Sequence, residues 1–392
     1  MWNRFAKRGK HPLVGLISLL ILLSTFVACG SNGQAANTGK SGNTSNATPT
    51  GPVKSGAQPC PEAVSTTQYW DALVPTQPPN NKVENVKCAS LMGTSSLQVL
   101  VTVRSAGSGR ALDIHVYNNI TAPKPDELLK LQNLLDGDAK VSSYNTIITG
   151  EVDQDSQVNK RQDNANLAVD LFREFMWSGS AHVFYPVAFP GLFPELTRYE
   201  AESDQQKVNR GQQSWQLDAA QVAGHFANTY LKWSLSSSTT LESGGHNGDV
   251  DATVSVKSSG VGNPIIKVVM SRLEGNTARG IWIVKDVTSD GLTISTPASR
   301  DVIGSPATIT GKGNAFEGVI GQVFVLDHLG EKIGHSQVTG SSGNGNTNFT
   351  VNNLSFQPTF TNGDEEGIVA VYAYSNADGA ISGVAMIKVL LH

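Results

Sequence analysis

The last hundred or so residues carry the pattern that most restricts the fold. Short runs rich in β-branched and aromatic residues recur about every ten residues from Leu292 onward, separated by Gly- and Asn-rich turns. Seven such runs are predicted strands: Leu292–Thr296, Ala307–Gly311, Gly321–Leu326, Lys332–Val338, Asn348–Leu354, Gly367–Tyr374 and Gly383–Leu391. Seven short strands without a helical stripe predict a β-sandwich over residues 291–392. This segment contains no Cys, which excludes an antibody-type core disulfide.

One stretch of this segment resembles a known family. Thr310–Gly318 reads Thr-Gly-Lys-Gly-Asn-Ala-Phe-Glu-Gly and is similar to a motif of the Gmad2 family, the immunoglobulin-like domain of bacterial spore germination proteins. Turn residues at Thr296–Pro297, Ser305–Pro306, Leu326–Asp327 and Tyr374–Gly379 also fit the family pattern. The resemblance implies an exported, envelope-attached protein with an immunoglobulin-like domain. It does not imply catalysis, and it suggests a link to sporulation or germination by analogy alone.

The amino terminus has the pattern of a bacterial lipoprotein. Four cations and no acid lie within residues 1–28, and an apolar run extends from Leu13 to Ala28. Because a membrane-spanning helix needs about 20 apolar residues, this shorter run predicts a signal peptide over residues 1–28. The sequence Phe-Val-Ala-Cys-Gly around Cys29 resembles the lipobox, in which the Cys is diacylated and becomes the first residue. The alternative is an ordinary secretory signal followed by an unrelated Cys.

Residues 29–59 are predicted to be a disordered tether. Gly, Ser, Asn and Thr predominate there, and Val53 is the only aliphatic residue larger than Ala in residues 30–59. Such a segment buries too little apolar surface to offset the entropy lost on folding. Because two acyl chains give stable membrane anchoring, Cys29 and this tether predict a body held at the extracytoplasmic face of the cell membrane.

The charge distribution argues against a nucleic-acid partner. The chain has 29 Lys and Arg against 33 Asp and Glu, and six of the cations precede the first acid, Glu62. The remaining chain therefore carries 23 cations against 33 acids. An acidic body lacks the basic surface that binds phosphate backbones.

Residues 211–290 are predicted to form one helix followed by a sheet. Asp218 is a candidate N-cap for a helix over Ala219–Trp233 that has an apolar face. Strands are predicted at Val250–Lys257, Ile265–Leu273 and Gly280–Thr288. A helix across a curved antiparallel sheet resembles the cystatin/NTF2-like architecture, whose cone can hold a small ligand.

Residues 60–210 are predicted to form an α+β unit. Leu97–Arg104 and Ala111–Asn118 alternate polar and apolar residues and predict a β-hairpin. The stretches Asp126–Leu135 and Ala165–Trp177 predict helices, the first from its acidic start and the second from its apolar spacing.

Cys60 and Cys88 are predicted to form a disulfide, because an exported chain meets an oxidising environment. Two free thiols or a metal pair are the alternatives. A metal pair is disfavoured because residues 60–88 contain no His and few acids.

The sequence contains no motif for catalysis, and we expect neither an enzyme, nor a cofactor, nor a metal. It has no G-x-S-x-G, no H-E-x-x-H and no C-x-x-C. The group Asp327, His328 and His335 is interpreted as a polar hairpin. Four acids are candidates for binding a ligand: Glu317, Asp364, Glu365 and Glu366.

Three functions remain open for this sequence. The first is a non-enzymatic binding or structural module of the cell envelope, whose partner is an envelope protein or a cell-wall polymer. The second is a small-ligand binder that uses the cone of the middle unit, and the third is a hydrolase. Phe316 is expected to anchor the core of the last unit. The loops Gly340–Asn348 and Gln357–Glu366 are expected to carry any contact.

Overall fold

Strands are the predominant secondary structure of the described residues. The computed structural model describes residues 56–74, 81–163, 166–274 and 279–392, all of which belong to one compact unit. The predicted signal peptide, Cys29 and the tether up to residue 55 lie outside the described residues. No helix in the described ranges combines the length and the hydrophobicity needed to cross a bilayer.

A disulfide ties the segment before the first sheet to the first strand of that sheet. Cys60 and Cys88 are bonded, which confirms the predicted disulfide. A 3₁₀ helix at Glu62–Val64 leads into α1 (Thr67–Asp71). The sheet consists of β1 (Asn81–Ala89), β2 (Gln98–Ser105), β3 (Leu112–Asn118) and β4 (Asp126–Leu134), antiparallel and in that order. The confirmed hairpin of the sequence prediction is β2–β3.

β4 is a strand where the sequence predicts a helix. β4 pairs with β3. Without β4, the backbone groups on that side of β3 would be unpaired at the edge of the sheet. The two acids that suggested a helix start bind across the sheet instead: Asp126 accepts from Asn119, and Glu127 contacts His115 at 2.6 Å. Sheet pairing therefore overrides the local helix preference.

The second sheet corrects the other predicted helix of this region. It contains β5 (Asp138–Val141), β6 (Ile147–Glu151), β7 (Leu171–Ser178) and β8 (Val183–Pro186), again antiparallel and in that order. β7 lies within the predicted helix over 165–177. Leu171 and Phe175 are four residues apart, and this spacing fits one face of a strand as well as one face of a helix. Both residues are buried.

The two four-stranded sheets share one hydrophobic core. Leu100 and Ile114 of the first sheet pack with Ile147 and Phe175 of the second. Residues 60–186 are therefore built chiefly from two sheets, and the helices on which the α+β prediction rested are strands.

Helices connect this region to the third group of strands. α2 (Arg198–Asn209), which the sequence does not predict, is followed by a 3₁₀ helix at Ser214–Leu217 and by α3 (Ala219–Leu231). The side chain of Asp218 accepts from the backbone N–H groups of Ala220 and Gln221, which confirms it as the N-cap. α3 packs on an antiparallel sheet of β9 (Ser238–Gly244), β10 (Asp251–Lys257), β11 (Ile265–Glu274) and β12 (Ile281–Ser289).

The last hundred or so residues form a β-sandwich, and all seven predicted strands are present. The strands are β13 (Thr293–Thr296), β14 (Val302–Ile303), β15 (Ala307–Ala315), β16 (Val319–Leu326), β17 (Lys332–Thr339), β18 (Gly345–Leu354), β19 (Glu365–Tyr374) and β20 (Ile381–Leu391). One sheet has the order β13-β15-β18. It packs on β16, β17, β19 and β20 around a shared core.

The second sheet of the sandwich continues into the sheet under α3. β20 pairs with β12 through Val287 and Met386, so the order is β17-β16-β19-β20-β12-β11-β10-β9. β19 is consequently buried on both faces: Val369 lies in the sandwich core and Ile368 in the core beneath α3. A strand covered on both faces is expected to be apolar throughout, as Ile368–Tyr372 is.

Candidate functional site

A surface groove lies where the sheet under α3 meets the sandwich. Its volume is about 550 Å³. Four large apolar side chains line it while remaining exposed: Val261, Ile265, Phe316 and Val319. We call this surface, with the polar side chains of Asp290, Asn314 and Asn376 that also line it, the junction groove. A concentration of exposed apolar side chains is typical of an interaction site, because a soluble fold otherwise covers them.

Phe316 is on the surface, so the prediction that it anchors the sandwich core is wrong. Its side chain is 51% exposed. Residues on β15 alternate between the core and solvent, and Ala315, Gly313 and Gly311 take the buried positions. Phe316 follows Ala315, so its side chain points outward to solvent.

The turn after Phe316 fixes the position of its ring. Phe316 and Val319 exchange two backbone hydrogen bonds of 2.9 and 3.0 Å, which leaves Glu317 and Gly318 as a two-residue hairpin loop. Both loop residues have positive φ, 51° and 83°, as a type I′ turn requires. The turn presents Phe316 and Val319 side by side at the wall of the junction groove.

The polar side chains of the junction groove are available to a partner. The side chains of Asp290, Asn314 and Asn376 make no hydrogen bond to any described residue. Binding sites commonly combine an apolar lining with a few such polar groups, which fix the orientation of what binds. The junction groove therefore offers both apolar contact and hydrogen bonding.

Glu317, a predicted binding residue, stands at the rim of the junction groove rather than inside it. It is exposed, and its backbone N–H donates to the side-chain oxygen of Asn344 at 3.1 Å. That bond ties the β15–β16 turn to the loop Gly340–Asn348, and Gly318 donates to the carbonyl of Gly343 in the same place. This loop thus supports the turn that carries Phe316.

The three consecutive acids predicted to bind a ligand are separated by the structure. Asp364 contacts His392 at 2.6 Å near the surface. Glu365 and Glu366 begin β19, are fully buried, and lie on opposite sides of the strand because successive side chains alternate. Glu366 accepts from the backbone N–H of Phe189 and lies 3.3 Å from the ammonium of Lys388.

Glu365 belongs to a buried cluster that we call the acid–histidine cluster: Asp153, His328 and Glu365. Nδ1 of His328 lies 2.8 Å from Oε2 of Glu365. One potential ligand atom from each of the three residues lies within 4.8 Å of the other two. Asp153 comes from the loop after β6, His328 from the β16–β17 turn and Glu365 from β19, so the fold brings together three distant segments.

The electrostatics of the acid–histidine cluster depend on burial and on the contact between His328 and Glu365. Burial raises the pKa of Glu365, and the hydrogen bond to His328 offsets part of that rise. Burial alone would lower the pKa of His328, but the bond to Glu365 and its charge outweigh burial and raise it. Protonation of His328 is therefore favoured, whereas burial disfavours the charged form of Glu365.

Of the group Asp327, His328 and His335 noted in the sequence, only His328 belongs to the acid–histidine cluster. Asp327 accepts from the backbone N–H groups of Leu329 and Glu331 and so shapes the turn that carries His328. His335 lies on β17, is exposed, and packs near the ring of Phe324. The sequence interpretation missed Asp153, which no local motif distinguishes from other loop acids.

Residues of the loop Gln357–Glu366 contact other parts of the protein. Thr359 donates to Oδ2 of Asp153 at 2.6 Å, and the ring of Phe360 lies 5.0 Å from the guanidinium of Arg173. This loop therefore binds the second sheet of the first region and is less free to meet a partner than expected.

Comparison with known families agrees with the resemblance in the sequence. Residues 292–380 match the family model of Gmad2, the immunoglobulin-like domain of bacterial spore germination. The match covers β13 to β19 of the sandwich and ends just before β20. It includes the turn that carries Phe316, and it does not include Asp153. No curated protein matches the chain.

Proposed function

We propose that this protein is a lipid-anchored, non-enzymatic binding module on the extracytoplasmic face of the cell membrane, and that it holds a protein partner in the junction groove. The exposed ring of Phe316 within the Gmad2 match is the observation that carries the proposal. An envelope role related to germination is consistent with the description of that family.

The chemistry of the junction groove favours a protein segment over a polysaccharide. Three of its four exposed apolar side chains are branched aliphatic residues, which pack well against other aliphatic side chains. The unbonded amides of Asn314 and Asn376 match backbone N–H and C=O groups, which require partners when a protein segment is buried.

The unit under α3 is assigned a supporting role in this proposal. Its helix-on-sheet arrangement is in keeping with a cystatin/NTF2-like module, but the space between helix and sheet is filled by fully buried Phe226, Met270 and Trp282. We therefore place the binding surface at the junction groove rather than in a cone of this unit.

Lipid attachment at Cys29 supplies the location in this proposal. A diacylated Cys29 followed by a tether would let the body reorient near the membrane surface. Intact-mass analysis of the purified chain should find diacylated Cys29 as the first residue. A mature protein that begins elsewhere without lipid would contradict the anchored location and leave the junction groove to be tested separately.

Site-specific photocrosslinking tests the binding surface. A photoreactive amino acid replaces Phe316 in the full chain in intact cells, and the same amino acid at Val302 serves as the control. Val302 is 54% exposed and lies outside the junction groove. We expect a discrete protein adduct from position 316 that disappears when Ile265→Asp is added.

Three outcomes would contradict the proposal. Adducts of equal yield from both positions would indicate non-specific contact. The absence of any adduct at position 316 would show that no protein occupies the junction groove. Retention of the chain on purified cell-wall polymer that depends on Phe316 would replace the protein partner with a glycan.

A further inference from the structure

The acid–histidine cluster has the composition and spacing of a metal site. Its three side chains are an imidazole and two carboxylates, which are common ligands of divalent transition metals. We infer that Asp153, His328 and Glu365 bind one divalent transition-metal cation, with Zn²⁺ the ion that fits best.

The spacing of the ligand atoms fits a single small ion. Bonds from zinc to nitrogen or oxygen are about 2.0–2.2 Å, which places tetrahedral ligands about 3.4 Å from one another. The three atoms already lie within 4.8 Å of one another. Shifts of about 1.4 Å or less, within the reach of side-chain rotation, would bring them around one ion, and Nδ1 of His328 and Oε2 of Glu365, now 2.8 Å apart, would separate slightly.

Two buried atoms of the cluster lack partners. Nε2 of His328 and Oε1 of Glu365 are shielded from solvent and have no hydrogen bond to any described residue. The side chains are 1% and 0% exposed. An unsatisfied buried polar atom costs about 1–3 kcal/mol, and buried groups of this kind usually have a partner. Because Oε1 belongs to the same carboxylate that contacts His328, this spare bonding capacity lies at the cluster itself.

Neighbouring groups orient Asp153. Its Oδ1 accepts from the N–H of Asp155 at 3.0 Å, and its Oδ2 accepts from the hydroxyl of Thr359. Its own N–H donates to Asp170 at 2.9 Å. Each carboxylate oxygen of Asp153 keeps a second lone pair for an ion. Outer partners of this kind orient the ligands in metal sites.

The surrounding charge also favours a cation. Asp170, which accepts from the backbone N–H of Asp153, and Asp327, which precedes His328, are both buried beside the cluster. The nearby Arg173 is already engaged with Glu151. An added dication would compensate this excess of carboxylates.

The ligand set distinguishes between classes of ion. Ca²⁺ takes six to eight oxygen ligands and Mg²⁺ keeps several waters, and neither prefers imidazole.

A bound ion would link the loop after β6 to the β16–β17 turn and β19. It would thereby join the first region to the sandwich.

Zinc titration of the full chain tests this inference. The tag-free protein in detergent is dialysed against EDTA and then titrated with ZnCl₂ by calorimetry, with CaCl₂ and MgCl₂ in parallel. We expect one Zn²⁺ per chain, a higher unfolding temperature with zinc, and no comparable response to calcium or magnesium. His328→Gln and Asp153→Asn should each abolish this binding. Thr359→Val should weaken it about 10–100-fold, because it removes only an outer partner.

The control is His335→Gln, which removes an exposed histidine outside the cluster and should leave zinc binding unchanged. If the cluster variants do not fold, the visible spectrum of Co²⁺ bound to the unaltered chain reports nitrogen and oxygen coordination directly. No stoichiometric zinc, or zinc binding that survives both His328→Gln and Asp153→Asn, would overturn the inference. A preference for calcium would overturn it as well.

Discussion

The junction groove and the acid–histidine cluster depart from an ordinary fold in opposite ways. The junction groove leaves Phe316 and Val319 exposed, although such side chains are usually covered. The cluster buries Asp153, His328 and Glu365, although such side chains are usually in water. Neither arrangement is needed to close the sandwich, whose own core is continuous and apolar. The junction groove is therefore a surface suited to a binding partner. The cluster is a set of buried polar groups that require an opposite charge or further bonding partners.

Two other groups of interior charge in the described part of the protein have opposite charges beside them. Lys388 is matched by Glu366, and Arg198 contacts both Glu174 and Glu274. The cluster keeps two buried atoms without partners. This comparison requires that interior charged groups affect the free energy of unfolding strongly and that exposed apolar groups affect it little. The following predictions test that difference.

The largest effect is expected from breaking an interior pair. Lys388→Met leaves the carboxylate of Glu366 buried without its cation and should lower the free energy of unfolding by about 3–5 kcal/mol. Adding Glu366→Gln should restore a large part of the loss. Lys267→Met removes a solvent-exposed pair with Glu242 and should lower the free energy of unfolding far less, because water screens that pair. Denaturant unfolding measures all three, and equal losses at both sites would contradict the comparison.

A pH effect is expected from Glu195, which avoids a buried charge by keeping its proton. Burial and the neighbouring Asp204 raise the pKa of Glu195 from 4.5 to about 9, while Gln216 donates to it at 2.9 Å. Because the folded-state pKa is the higher one, the folded chain holds an extra proton between these values. Its contribution to stability is complete below pH 4.5 and is lost as the pH rises toward 9.

Glu195→Gln should therefore make the fall in stability between pH 5 and pH 9 shallower. The fall should not vanish, because Glu366, with a pKa raised by burial to about 7, titrates in the same interval. Glu317→Gln, at an exposed position, is the control. Thermal unfolding at a series of pH values measures the slope, and an unchanged slope in Glu195→Gln would show that this carboxyl does not hold the proton.

The smallest stability effect is expected in the junction groove. Phe316→Ser should change the free energy of unfolding by no more than about 0.5 kcal/mol, because the ring is largely exposed. Phe349→Ala, at a ring that is 3% exposed in the sandwich core, should cost about 3–5 kcal/mol. A loss above 2 kcal/mol in Phe316→Ser, on the same denaturant assay, would mean that the ring supports the fold.

Local patterns in the sequence were sufficient for the sandwich and insufficient for the first region. Short β-branched and aromatic runs between Gly and Asn turns after Leu292 predicted seven of the eight strands there, and only the two-residue β14 was missed. β4 was mistaken for a helix because acids at its start suit a helix N-terminus. β7 was mistaken for a helix because an apolar spacing of four residues fits both structures, and only the partner strand decides. Phe316 was assigned to the core because the inward-facing positions of β15 are occupied by small residues, Gly311, Gly313 and Ala315. Their side chains are too small to mark that face as the buried one in the sequence.

The two sites could be anticipated only in part. Glu365 was among the acids expected to bind, and His328 was noted, but their contact joins residues 37 positions apart in the chain. Asp153 approaches them only because the loop after β6 packs on the sandwich. The junction groove joins the turn before β11 to the turn before β16. Long-range packing of this kind leaves no signal in local periodicity.

Occupancy of the junction groove in the cell tests the central proposal most directly. Phe316→Cys and Val302→Cys chains are labelled with a membrane-impermeant maleimide, once in intact cells and once after purification. We predict that Val302→Cys reacts at the same rate in both preparations, which also reports an extracytoplasmic location. Phe316→Cys should react several-fold more slowly in cells, because a partner covers the junction groove. Equal rates for Phe316→Cys in both preparations would contradict the proposal.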